Sequence, residues 1–593
     1  MRLTLAVLIG LSIGSFGQAN QAKLAPELQK LAPELQGLAP DRTVDVIIQY
    51  KQTPTPLHHA RVAAVGGQLQ RSLDIIHGAH YSIPASQLET LSNDPDVVFI
   101  SPDRAVFATA STSPYTASPD YGWRTVGADL ATSVFGVDGT GVGIALIDSG
   151  INANEDLENA QQHSRIVYQA SLIAGSSPAD NYGHGTHVSG ILAGDGAQSS
   201  AKQSTYLVRG IAPNANLISL KALGDTGAGT DSAVIAAIQQ AVALKNRYNI
   251  RVLNLSLGRP VTTSYRNDPL CQAVRAAWQA GIVVVVAAGN DGRDNSLGTN
   301  GYGTITAPGN SPYVITVGAM NTVGTLTSTD DKIASYSSKG PSSIDQVVKP
   351  DLVAPGNRIM SLYQGTSWLD ATYPGNAVAT SVYMNNSGKS VPAYFELSGT
   401  SMATPMVAGA AALMIQRNPT LTPDQVKARL MKTATKFAPG ISTATDPTTG
   451  IVYTAEYDIF TIGAGYLNIP AALADNETFS GVALSPTASF NAGSGQVFIQ
   501  PSALLAVWGT GTVSPSLAVW GTGTVWGSLA VWGTSVFLNA NCAVWGTGAV
   551  WGTIAVWGTS TPQAFSTVWG SLAVWGTGQA SGETVKLAIN GDN

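Results

Sequence analysis

Charge is scarce in this chain. Asp, Glu, Lys and Arg make up only 11% of its 593 residues, against roughly a quarter in an average soluble domain, so Gly, Ser, Thr and Asn must cover much of the surface. Such a composition suits an exported protein. No long basic run occurs, and 31 Lys plus Arg against 37 Asp plus Glu leave a net charge of −6, which argues against nucleic acid as a partner. Cysteine is nearly absent as well. Cys271 and Cys542 are the only two, too few for a disulfide framework, and Cys271 sits in the helix-like DPLCQAVRAAWQAG, where it reads as a small buried hydrophobe. Long apolar runs are also missing: none reaches the roughly 20 residues of a membrane-spanning helix. The run from Leu3 to about Ile13 follows Arg2 and precedes the small residues Gly17 and Ala19, the pattern of a signal peptide over residues 1–19. A secreted protein without a transmembrane span is therefore expected, a membrane anchor being the alternative.

Beyond the leader, residues 20–43 carry a short LAPELQ repeat and read as a linker with brief helical turns. From 44 to 108 the apolar pattern gives VDVIIQY as a strand, HHARVAAVGG as a helix, and QLQRSLDIIHGAHYSI as two strands turning near Gly78. ASQLETLSND then reads as a helix and DVVFIS as a last strand. The order βαββαβ predicts a small α+β, ferredoxin-like domain. Residues 109–475 read differently. GVGIALID (141–148), LISLKAL (217–223), RVLNLSLG (251–258), GIVVVVAAG (281–289) and VITVGA (314–319) are unbroken apolar runs, and helix patterns such as SAVIAAIQQAVALKN (232–246) lie between them. That alternation predicts an α/β domain, a parallel sheet flanked by helices.

Three segments of this region share a chemical logic. In ALIDSGI, Asp148 ends a buried strand, and at the carboxyl end of a parallel strand a carboxylate emerges where such folds place their sites. In NYGHGTHVSG, glycines on both sides leave the His184 imidazole accessible. A metal reading of His184 and His187 lacks HExxH and a third ligand, so His184 reads as a base and His187 as a packed helix residue. In LSGTSMATPMVAGAAALMIQ, Ser401 opens a small-residue helix whose positive end could stabilise an oxyanion. Pro405 falls early in that helix. Each signal is weak alone, because a turn Asp or a helix-start Ser is common.

Their order, Asp then His then Ser, is the subtilisin order, and DSG, GHGTHVSG and GTSMATP resemble the three active-site motifs of the subtilisin-like serine proteases. The supporting segments GIAPNANL, LNLSLG, VVVAAGN, YSSKGP and KPDLVAPG resemble that family too. The resemblance implies a serine endopeptidase acting on protein or peptide substrates through Asp148, His184 and Ser401, with Asn290 as the side-chain oxyanion donor. It also implies that Ser256, Leu257 and Gly258 on one side and Gly227, Ala228 and Gly229 on the other flank the substrate. Ala288 and Gly289 would line the pocket for the residue before the cut, and Thr306 would close its floor. No cofactor is needed for this chemistry. Structural calcium stays open: Asp156 resembles one ligand position, but residues 194–210 match no calcium loop, and no metal-ligand set is assigned. By the same resemblance the domain at 44–108 would be an inhibitory propeptide, released by self-cleavage between Asp103 and Pro119, around VFATAST. About forty residues between VAPG and LSGTSM (357–396) exceed what the simplest members carry.

Residues 476–593 differ again. From Thr478 to Gly582 there is no charged residue, and nine of the chain's twelve tryptophans fall there, each inside a VWG, at spacings of 12, 6, 6, 13, 6, 6, 12 and 6. An even step keeps every Trp on one face of an extended strand and scatters it around a helix, so a repetitive β tail is expected. It serves as a structural cap or, alternatively, as a surface for binding or self-association. The rival to a protease is a catalytically silent surface-binding protein on the same scaffold.

Overall fold

The computed structural model describes residues 22–29, 43–108, 122–200, 204–296, 298–385, 392–437, 440–446, 449–477 and 479–491. Beyond these it describes short backbone strands at 496–500, 519–520, 525–526, 530–532, 550–551 and 555–556. The signal segment, the residues from 109 to 121 and Cys542 lie outside the described residues. Contacts divide the chain into two units, Met1–Asp103 and Arg104–Asn593.

In the first unit the elements are β1 (Thr43–Tyr50), α1 (Pro56–Ala64), β2 (Gln68–Leu73), β3 (Gly78–Pro84), α2 (Leu88–Ser92) and β4 (Val97–Pro102). They form an antiparallel sheet in the order β2-β3-β1-β4. Helix α1 starts where Thr55 and His58 form a capping box and Pro56 takes the first turn, as expected of a residue with no N–H to satisfy. The first LAPELQ repeat is more than a linker. Ala25 N–H donates to Ile100 O at 2.8 Å and Ile100 N–H to Lys23 O at 2.8 Å, while Leu24 and Leu28 join the core of Val46, Ile48, Tyr81 and Ile83.

The second unit begins with β5 (Ala105–Ala108), β6 (Gly143–Asp148), β7 (Ile166–Ser171), α3 (His184–Ala193), β8 (Asn216–Lys221), β9 (Ala228–Thr230) and α4 (Asp231–Tyr248). It continues with β10 (Ile250–Leu255), β11 (Leu257–Gly258), α5 (Pro269–Gln279), β12 (Val283–Ala287), β13 (Ile315–Asn321), β14 (Lys332–Ile333) and β15 (Leu352–Pro355). Next come β16 (Ile359–Leu362), β17 (Tyr394–Leu397), α6 (Thr400–Arg417) and α7 (Pro423–Thr433). The central sheet runs β14-β13-β12-β10-β6-β8-β7, with β15 also on β13. All of its pairs are parallel except β13 with β14, so the sheet is mixed at one edge rather than purely parallel. β6, β12 and β13 are buried throughout, which is why their sequences read as unbroken apolar runs. Helix α6 packs against β10, β12, β13 and α3.

Two boundaries differ from the sequence reading. Residues Arg104 to Ala108 group with the second unit, because β5 pairs antiparallel with both β11 and β9. At the other end the packed unit runs past Asp475: Ser485 Oγ donates to Asp351 Oδ1 at 2.6 Å and Ala488 N–H to Gln346 O at 2.8 Å. In the tail, Val519 pairs with Val531 and Trp520 with Trp532, and Val525 pairs with Val550 and Trp526 with Trp551, all in parallel. One Val-Trp pair of the repeat thus lies in register with another.

Candidate active site

Asp148 is the last residue of β6 and is fully buried. Its Oδ1 accepts from His184 Nδ1 at 2.7 Å and from Ser149 N–H at 2.7 Å. His184 opens α3, and the glycines beside it answer two different needs. Gly183 sits at φ +100°, and a Cβ on Gly185 would stand 2.1 Å from Gly150 O, so neither position tolerates a side chain. The bond to Asp148 fixes the proton on Nδ1 and leaves Nε2 as the basic atom; among the described residues Nε2 has no hydrogen-bond partner.

Behind this pair lies a second carboxylate that the sequence reading missed. Asp180 is buried, and its two oxygens accept from Ser149 Oγ at 2.9 Å, Gly183 N–H at 2.7 Å, and Thr186 N–H and Oγ1 at 2.7 Å each. Burial pushes its carboxyl up in spite of these donors. Ser149 Oγ in turn accepts Gly185 N–H at 2.9 Å. Asp180 and Ser149 thus satisfy first-turn amides of the helix that carries His184, whose own cap, Gly183, has no side chain to do so. The available signal was an Asp four residues ahead of His184 in DNYGH.

Ser401 is the second residue of α6, and its Oγ donates to Ser256 O at 3.0 Å. The reverse contact is explained by Pro405. That proline lies inside the helix rather than in its first turn, and having no N–H it leaves the Ser401 carbonyl without its usual partner four residues on. Ser256 Oγ fills the gap, donating to Ser401 O at 2.8 Å. Ser256 is also where the run RVLNLSLG, expected as one strand, breaks into β10 and β11. The chain leaves the central sheet there and forms one edge of a separate three-stranded sheet, β11-β5-β9.

Asn290 follows β12 and is buried. Its Oδ1 accepts from Thr400 N–H and from Thr400 Oγ1, both at 2.9 Å. Because a backbone N–H can only donate, this contact fixes which end of the amide is oxygen and leaves Nδ2 as its donor end. The residues expected along the substrate come together as well. Leu257 and Gly258 lie opposite Ala108 and Phe107, Ala228 and Gly229 lie opposite Phe107 and Val106, and Ala108 N–H donates to Gly227 O at 2.9 Å. Ala288 O accepts from Thr306 N–H at 3.0 Å, and a Cβ on Gly258 or on Gly289 would stand 2.5 Å or 2.7 Å from Thr306. Thr306 therefore sits between those two glycines.

His187 is fully buried with Nε2 facing Ile359 O at 3.2 Å and Phe395 O at 3.0 Å. Burial, with His184 second, lowers it to about 3, so it is a neutral packed residue. Asp156 is engaged by protein donors: its Oδ1 accepts from Gln198 N–H at 2.7 Å and its Oδ2 from Tyr394 O–H at 2.8 Å. The Arg165 guanidinium lies against its main-chain carbonyl at 2.8 Å. Among the described residues no group of three or more His, Cys, Asp or Glu could hold a metal. Cys271 is buried and, among the described residues, forms no disulfide; its Sγ lies 3.2 Å from Asn310 Oδ1, and burial raises its thiol well above the ordinary range.

The defining pattern of the subtilase family matches residues 139–450. Serine protease AprX of Bacillus subtilis is 41% identical over 307 residues, half of this chain and 62% of that protein, so the chain spans less than two thirds of it. Subtilisin E of the same organism is 32% identical over 393 residues, 66% of this chain and 84% of that protein. Fervidolysin from Fervidobacterium pennivorans, described as a keratinolytic enzyme related to subtilisin, superposes with a TM-score of 0.52 at 21% identity, covering 74% of this chain and 62% of that one; at that identity it speaks for the fold. The chain belongs to the subtilase family.

Proposed function

We propose that the protein is an exported serine endopeptidase made with its own inhibitor, and that Asp148, His184 and Ser401 are its triad. The observation that carries this reading is the buried 2.7 Å contact between Asp148 Oδ1 and His184 Nδ1, His184 lying on a helix that packs against the one whose second residue is Ser401. In the reaction Ser401 Oγ turns from Ser256 O toward His184 Nε2, gives up its proton there and attacks the peptide carbonyl. Asp148 holds the tautomer and stabilises the imidazolium. The oxyanion takes hydrogen bonds from Asn290 Nδ2 and Ser401 N–H. His184 then returns the proton to the leaving amine, and water hydrolyses the acyl-enzyme by the same steps.

Strand β5 supports the substrate-binding assignment. It lies between β11 and β9 as a peptide substrate would, held by main-chain contacts. Its last paired residue, Ala108, lies opposite Leu257, next to Ser256, whose carbonyl is 3.0 Å from Ser401 Oγ. Self-processing is accordingly assigned to the Thr109–Ala110 bond, and the unit ahead of it to an inhibitory propeptide. The experiment is expression of the chain with and without Ser401→Ala, followed by amino-terminal sequencing and a casein assay. Wild type should begin at Ala110 and hydrolyse casein. The variant should keep its first unit and be inert; processing of the pure variant would refute self-cleavage, and casein hydrolysis by it would refute the nucleophile.

A further inference from the structure

The two edges of this cleft are tied at one end by buried charge. Arg259 follows β11, and its guanidinium contacts Asp231 at 2.7 Å and Asp268 at 2.8 Å, all three almost wholly buried. Asp231 follows β9 directly as the first residue of α4, and Asp268 caps α5 by accepting from the Leu270 and Cys271 amides. Burial pushes the Asp231 carboxyl up, against the pull of Arg259 beside it. Asp268 stays below the usual carboxylate range, because Arg259 and then Arg104 outweigh the effect of burial. One guanidinium therefore faces two carboxylates, and a buried net negative charge is costly unless something offsets it.

Arg104 offsets it. It precedes β5, its carbonyl accepts from Asp231 N–H at 2.8 Å, and its Nη2 donates to Thr263 Oγ1 at 3.2 Å, Thr263 being buried. Its charge acts on both carboxylates. Arg104 thus completes a quartet of two cations and two anions, but it arrives on the strand that occupies the substrate's place. When a substrate replaces that strand, the cluster of Arg259, Asp231 and Asp268 is left one positive charge short.

We propose that Arg259, Asp231 and Asp268 form a distal substrate subsite that selects Arg or Lys six residues ahead of the scissile bond, the place Arg104 holds relative to Thr109–Ala110. The assignment rests on the endopeptidase reading and on the register of β5. The Arg104 guanidinium reaches Thr263 Oγ1 with one of its several donors, and a planar fork of donors leaves others to face a carboxylate as an ammonium does less well, so Arg is favoured over Lys.

The test uses processed full-length enzyme and peptides containing Arg-Ala-Val-Phe-Ala-Thr-Ala-Ser, the chain's own residues 104–111, with the first position Arg, Lys, Gln or Glu. Product masses locate the cut, and kcat and KM are read for each peptide. All four should be cut between Thr and Ala, with kcat/KM for Arg about tenfold above Gln and Glu lowest, the difference falling mainly in KM. The Arg advantage should shrink as salt is raised, and in Asp268→Asn the Arg to Gln ratio should fall toward one. Equal rates for Arg, Gln and Glu in the wild type would overturn the subsite, as would a cut at another bond. Failure to cut any of the peptides, or casein, would instead overturn the endopeptidase reading beneath it.

Discussion

Asn290 is oriented by a neighbour rather than by a substrate. Its carbonyl end is fixed on Thr400, the residue before Ser401; on the proposed mechanism that contact sets the amide before the oxyanion forms, which spares reorganisation at that moment. Asn290→Ala should therefore lower kcat on the order of 100- to 1000-fold with KM little changed, measured on a peptide ester and an amide. A comparable rise in KM would mean that it binds ground state and transition state alike. The contacts of Asp148 with His184 and of Asn290 with Thr400, on which the proposed triad and oxyanion site rest, join residues that each lie inside a short local motif legible in the sequence. Asp180 and Tyr394 were not legible there. Asp180 works through Ser149, 31 residues away, and Tyr394 through Asp156, 238 residues away, and no local pattern records such pairings. Pro405 was located but misread, since its consequence is a contact across the fold with Ser256.

At the scale of elements, the segments between Asp148 and Ser401 that resisted assignment turn out to support one another. The β16–β17 hairpin from the long 357–396 segment delivers Tyr394 to Asp156 and to Ser199 Oγ at 3.0 Å, and Thr205 N–H donates to Tyr383 O at 2.9 Å. A buried carboxylate is thereby held by hydrogen-bond donors from two loops. Tyr394→Phe removes one donor while keeping the ring, and should lower stability by about 1–3 kcal/mol, read as a denaturant midpoint in a Ser401→Ala background. No change would mean that water replaces the hydroxyl without cost. The strands read from the sequence were those buried on both faces, such as β6, β12 and β13. β7 escaped because its residues are only partly buried or exposed, so it carries no apolar run, and β5 because its pairing is with segments more than a hundred residues away.

At the scale of the molecule, the parts differ in how much the sequence alone could fix. The family pattern ends at Gly450, yet packing continues through Ala488, because Ser485 satisfies both Lys427 Nζ at 2.8 Å and Asp351 Oδ1 at 2.6 Å. Composition marked the tail from Thr478, where charge stops, whereas contacts place the first residues after that point with the packed unit. Further on, Val-Trp pairs of the repeat lie in parallel register with other copies, which agrees with a repeat that pairs with itself. The central claim is that one serine, activated by His184, does the chemistry whether or not the tail is present. The most direct measurement is to treat the processed full chain, and a processed chain ending at Asn491, with a serine-reactive phosphonate and to map the adduct by peptide mass spectrometry. A single adduct on Ser401 in both is the predicted result; an adduct on another residue, or none from the processed full chain, would contradict it.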